Sequence, residues 1–181
     1  LCLQAVAKDP QCAGAYYVLG LIAFDKELDP AVAKERFAKA VEHAPDDVPS
    51  RMRYSEALDE TGDLKGAIEQ LKAGLALAPE SAEAHNNLGT ALARSGRLAE
   101  AITEFEKAVE LSDGRPDLLA LLGHAYALDG DRQRAEEVLV KLAEASKNRY
   151  VPAWDMALIH LALGDTEDAF YWLGAAAQER A

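Results

Sequence analysis

The side chains able to do chemistry are thinly and separately placed. His43, His85, His124 and His160 are spread along the chain with no H-x3-H pair and no cysteine nearby, so the spacing builds no zinc site. Cys2 and Cys12 form neither a C-x-x-C motif nor a disulfide framework and are expected to be free thiols, which fits a reducing cytoplasm. There is no G-x-S-x-G elbow, no phosphate loop and no G-x-G-x-x-G turn. Carboxylates are plentiful, but on amphipathic helices they form a solvated face rather than an acid and base pair. The expectation is a chain without catalysis, cofactor or metal. What remains suits recognition. The carboxamide of Asn87 carries both donor and acceptor, so it can pair with the backbone of an extended peptide whatever its sequence. Its competing role is an ordinary surface polar group or an intrachain hydrogen bond. The guanidinium groups of Arg53 and Arg94 can grip a carboxylate bidentately, in competition with ion pairs to Glu56, Glu60 or Glu83.

Charge narrows the partner. A net charge of −12 over 181 residues disfavours nucleic acid and anionic membrane surfaces, both of which are held by Lys and Arg. No apolar run approaches the roughly 20 residues that span a bilayer. The sequence therefore predicts neither nucleic-acid nor membrane binding.

The elements that must position these side chains repeat at a fixed interval of 34 residues. Ala33, Ala67, Ala101, Ala135 and Ala169 fall on it, as do Phe37, Leu71, Phe105, Leu139 and Leu173. Gly62, Gly96, Gly130 and Gly164 mark a turn in each later copy. Such a period denotes an array of stacked helix pairs, an all-α fold. Residues 1–12 read as the second helix of a preceding unit, which suggests a piece of a longer polypeptide. Five units follow, 13–47, 48–81, 82–115, 116–149 and 150–181, forming one domain. The first is one residue longer, and the extra residue is expected in the turn where Leu28 takes the place of the later glycines. Asp29-Pro30 reads as a helix start, the carboxylate capping free N–H groups, and Gly62-Asp63, Gly96-Arg97, Gly130-Asp131 and Gly164-Asp165 read as the turns of the later units. The final helix runs to Gln178, Glu179, Arg180 and Ala181. Small residues at Gly20, Ser55, Gly89, Gly123 and Ala157 allow close helix approach.

These residues resemble the tetratricopeptide repeat, whose pattern is W-x2-L-G-x2-Y, A-x3-F and a closing P. The third unit offers His85, Leu88, Gly89, Leu92, Ala101, Phe105 and Ala108; the first, Tyr16, Leu19, Gly20, Ala23, Ala33, Phe37, Ala40 and Pro45. The fourth has Lys147 in the place of the closing proline, and the fifth is the most divergent. The resemblance implies a right-handed superhelical solenoid of antiparallel helix pairs whose first helices line a concave groove. It assigns to that groove Tyr17, Leu21 and Phe24 in the first unit and Arg53, Glu56, Asp59 and Glu60 in the second. Asn86, Asn87, Thr90 and Arg94 follow in the third, then His124 in the fourth and Trp154 in the fifth. Asn87 occupies a slot where peptide-binding members often carry asparagine. The cationic clamp of chaperone-binding members has no counterpart here.

The function so implied is a non-catalytic protein-protein interaction scaffold that holds a peptide or helical segment, and the acidic second unit favours one with basic residues. One alternative is self-association through an uncapped solenoid end, where Phe170, Tyr171 and Trp172 follow one another. Another is a substrate-selecting segment of a larger enzyme such as a glycosyltransferase, kinase or cyclase.

Overall fold

The computed structural model describes residues 2–179 and contains eleven α-helices and no strand among them. No helix among the described residues is long and apolar enough to cross a membrane. The chain separates into two compact units, 1–95 and 96–181.

The first unit holds α1 (Cys2–Lys8), α2 (Ala13–Leu21), α3 (Pro30–His43), α4 (Val48–Glu60), α5 (Leu64–Leu77) and α6 (Ala82–Arg94). Each helix packs on the one before it. The starts follow the capping logic of the sequence. Asp29 Oδ1 accepts from Ala31 and Val32 N–H at 3.1 and 3.0 Å, Asp47 Oδ2 from Ser50 at 2.9 Å, and Asp63 Oδ1 from Gly66 at 2.9 Å. Ser81 caps α6 through Ala84 N–H at 3.2 Å. Ala33 and Ala67 are wholly buried, and Phe37 fills the space beside Ala23, Ala33 and Ala57. Small side chains here let backbones close on one another, and the aromatic ring occupies what remains.

The extra residue of the first repeat does not sit in the turn, as the sequence suggested. It is taken up one step earlier, where Ile22–Lys26 widen into a π-helical turn closed by Glu27 N–H to Ile22 O at 3.1 Å. The hydrogen bond that ends the helix records the insertion. Asp29 N–H reaches Ala23 O, six residues back, whereas Asp63, Asp131 and Asp165 reach Leu58, Tyr126 and His160, five residues back. Leu28 then adopts φ 53°, beside φ 82° for Gly62 in the equivalent turn, so a left-handed residue is required there even without glycine.

The second unit holds α7 (Leu98–Leu111), α8 (Pro116–Asp129), α9 (Arg132–Ala145), α10 (Ala153–Leu163) and α11 (Thr166–Gln178). In it α8 packs on α7, α9 and α10, and α10 on α9 and α11. Ala101 and Ala135 are wholly buried and Ala169 nearly so. Gly123 is a contact point, since a Cβ there would lie 2.5 Å from Val138 Cγ1 and 2.9 Å from Ile159 Cδ1. Asp131 caps α9 through Arg134 N–H at 3.0 Å. The Asp165 side chain makes no cap hydrogen bond to α11; its carboxylate accepts from Arg132, at 3.0 and 3.1 Å. Arg180 and Ala181, expected in the last helix, lie outside the described residues.

Candidate functional site: two separate helix faces

Most of the residues expected to bind a ligand lie in the first unit, on α2, α4 and α6. Three of them are ordinary packing residues as much as surface. Leu21 and Phe24, like Tyr17, are half-buried against the cluster of Ala23, Ala33, Phe37 and Ala57. The Tyr17 ring lies 6.0 Å from that of Phe37. Val18 of α2 and Ile22 of the π-helical turn, by contrast, are exposed.

Both arginines are engaged within the chain. Arg53 donates to Glu56 Oε2 at 2.7 Å, one of the partners named by sequence. Arg94 instead donates to Asp59 Oδ2, a carboxylate 35 residues earlier on α4. Neither guanidinium is therefore free to act as a simple carboxylate clamp. Sequence reasoning placed Asp59 in the groove but not among the binding residues. The signal that would have found it is the near-equality of that separation with the repeat length, which sets Asp59 and Arg94 at neighbouring levels of two first helices.

The engaged pairs frame two clefts. One, of about 290 Å³, is lined by Tyr17, Met52, Arg53, Glu56 and Glu83 together with the start of α4. The other, of about 130 Å³, lies between α4 and α6 with Glu56, Asp59, Asn87 and Thr90 on its walls. Asn87 lines this cleft, and among the described residues its one side-chain hydrogen bond is a long one accepted from Asn86 Nδ2 at 3.4 Å. Thr90 donates to Asn86 O at 3.0 Å. Asp59 Oδ1 and Asn86 Oδ1 are buried without a hydrogen-bond partner. Glu60 stands apart, exposed beside Phe24, Leu28 and Pro30 around a third hollow of about 300 Å³.

His124 and Trp154 lie in the second unit. Burial holds the His124 imidazole below its ordinary pKa. Trp154 is 50% exposed and borders a hollow of about 300 Å³ with Tyr150, Pro152, Leu173 and Glu179. Along α8 and α10 the exposed apolar residues recur every two turns, Leu121 with Leu128 and Trp154 with Leu161. At one end of this face burial, and then the carboxylates of Asp117 and Glu179, push the Asp155 carboxyl above its usual range. Among the described residues no cluster of three His, Cys, Asp or Glu could hold a metal ion.

Models of the tetratricopeptide repeat match residues 25–78 and 57–116, and a second such model matches 92–159. Similar solved structures include MamA from Desulfovibrio magneticus RS-1, with 24% identity and a TM-score of 0.75, covering 80% of this chain and 81% of that one. PilF from Pseudomonas aeruginosa aligns with 21% identity and a TM-score of 0.74, covering 94% and 78%. YrrB, a TPR protein with an unusual peptide-binding site, aligns with 26% identity and a TM-score of 0.73, covering 92% and 80%. No curated protein matches the sequence.

Proposed function

The chain belongs to the tetratricopeptide repeat family, and from that premise we propose that it is a non-catalytic interaction scaffold whose first unit binds an extended peptide segment bearing basic residues among apolar ones. Proteins of this family are generally scaffolds that bind other proteins. The observation that carries the finer reading is Asn87, with an underused carboxamide at the wall of a cleft whose other polar groups are chiefly acceptors. A carboxamide there pairs with the N–H and C=O of a passing backbone, and the acidic walls select what that backbone carries. The peptide-binding site of YrrB supports the same reading by analogy.

Peptides selected from a random displayed library against the 181-residue chain test it. They are expected to be enriched in Lys or Arg flanked by apolar residues and to bind more weakly as salt rises from low to physiological. They are also expected to lose binding to an Asn87→Ala, Glu56→Lys double variant. Selected peptides that bind this variant as well as the parent, at any salt, would remove the groove assignment.

Self-association is a second reading, favoured by α11. Phe170 and Tyr171 on that helix are each 70% exposed, close in sequence to the hollow that Trp154 borders. Light scattering that gives a monomer at high concentration rejects it for this chain.

A further inference from the structure

The smaller cleft of the first unit has a composition that specifies one kind of side chain. Its floor is apolar and buried, made by Ala67 and Leu71 of α5 and by Ala91 of α6. Apart from the Asn87 amide nitrogen, its walls are oxygens whose protons are already committed. Ser55 donates its hydroxyl proton to Met52 O at 2.6 Å and Thr90 donates to Asn86 O at 3.0 Å, so each hydroxyl has only lone pairs left. The carboxylates repeat the pattern. Glu56 gives Oε2 to Arg53 and Asp59 gives Oδ2 to Arg94, which leaves one oxygen of each. That of Asp59 is buried with no donor at all.

A buried carboxylate oxygen without a donor loses its hydration and gains nothing in return, so the cleft is short of hydrogens. A ligand group that only donates answers this. An ammonium does so with three donors around one point, suited to acceptors converging from several sides, whereas a guanidinium presents a flat fork that needs a paired acceptor edge. The two intrachain arginines already occupy one oxygen of each carboxylate. The apolar floor suits an unbranched alkyl stem, and about 130 Å³ is room for roughly four waters at ~30 Å³ each, a fair match to a short chain of methylenes with its head group.

We infer that this cleft is a socket for a lysine side chain of the bound segment, with the methylenes on Leu71 and the ammonium among Asp59, Glu56 and Thr90. The inference rests on the reading of the first unit as a peptide-binding face. Asn87 on the same wall takes the backbone, and the socket takes the side chain that the backbone delivers.

The test titrates the isotope-labelled 181-residue chain with N-acetyl-lysine-N-methylamide, with its norleucine and arginine counterparts in parallel. Backbone amides of Ser55, Asn87 and Thr90 are followed by NMR. Lysine is expected to give saturable shifts and the other two to bind at least about tenfold more weakly, norleucine because it has no charge-assisted hydrogen bond to offer and arginine because its flat fork finds no paired acceptor edge. Asp59→Asn should abolish the lysine response. Thr90→Val, which leaves both carboxylates in place, should weaken it several-fold, and the amide spectrum of each variant reports whether it is folded. Norleucine binding as tightly as lysine, or no saturable shift with lysine on the parent chain, overturns the socket. Neither result touches the peptide-binding reading, which selected peptides test separately. If they bind and tolerate lysine-to-norleucine exchange, the socket alone is lost; if none binds the first unit, the peptide-binding reading is lost with it.

Discussion

A methyl group placed on Gly20 would stand 2.5 Å from Cε1 of Phe37, and Phe37 is wholly buried. The ring cannot retreat without displacing the alanines around it. Gly20→Ala should therefore destabilise the protein by about 1–3 kcal/mol, although a glycine-to-alanine change in a helix is otherwise favourable. Gly174, within α11, supplies the control: nothing lies within 4 Å of a Cβ there, and Gly174→Ala should stabilise by about 1 kcal/mol. Urea unfolding of the two variants should give midpoints displaced in opposite directions.

Ala101 on α7 is wholly buried, at the position that is alanine in every repeat. Ala101→Leu adds three carbons where the chain has closed up, and should cost about 1–3 kcal/mol. A thermal midpoint equal to the parent's would show that the site has room.

Tyr126 links pH to stability in the second unit. Its hydroxyl donates to Glu106 Oε1 at 2.7 Å, and the Arg134 guanidinium lies 4.3 Å from its ring centre. Burial first, and then the Glu106 carboxylate, push its pKa up to about 12. The unfolded chain ionises tyrosine near 10, so between about pH 10 and 12 the unfolded state holds fewer protons and stability falls as pH rises. The contribution is intact below about pH 10. Tyr126→Phe should flatten that decline, as read from unfolding midpoints across the interval.

Asp155 has the same sign at acid pH. Burial, Asp117 and Glu179 raise its pKa in the folded state, so its favourable contribution is present when it is protonated and is lost as pH rises through that raised value. Asp155→Asn should raise the melting temperature at neutral pH, with the gain disappearing below the ordinary carboxylate range. An unchanged melting temperature at neutral pH would show that the carboxylate is relieved by solvent.

The repeat period carried most of the fold because small residues must recur wherever helices approach. Ala33, Ala67, Ala101, Ala135 and Ala169 mark the contacts directly. Amphipathic patterning alone would have failed on α8, where Leu118, Leu119, Ala120, Leu122 and Ala125 are all buried and no single stripe stands out. The site was legible only in part. Arg53 with Glu56 is a local pair, visible at three residues' separation, but Arg94 with Asp59 joins two helices and needs the fold. Likewise the turn at Gly164-Asp165 is visible locally, but the pairing of Asp165 with Arg132, 33 residues away, needs the fold. The unpartnered oxygens of Asp59 and Asn86 have no sequence signature, since they arise from what the surrounding helices fail to supply.

The wide turn at Ile22–Lys26 shows how an array of this kind can change length without losing its order. An inserted residue rotates the downstream chain by about 100° on a regular helix, which would put every later contact out of phase. Here the excess is confined to a single turn, and Ala33 and Phe37 keep the 34-residue spacing to Ala67 and Leu71. One-residue insertions at the ends of first helices can thus be absorbed while the stacking beneath them is kept intact.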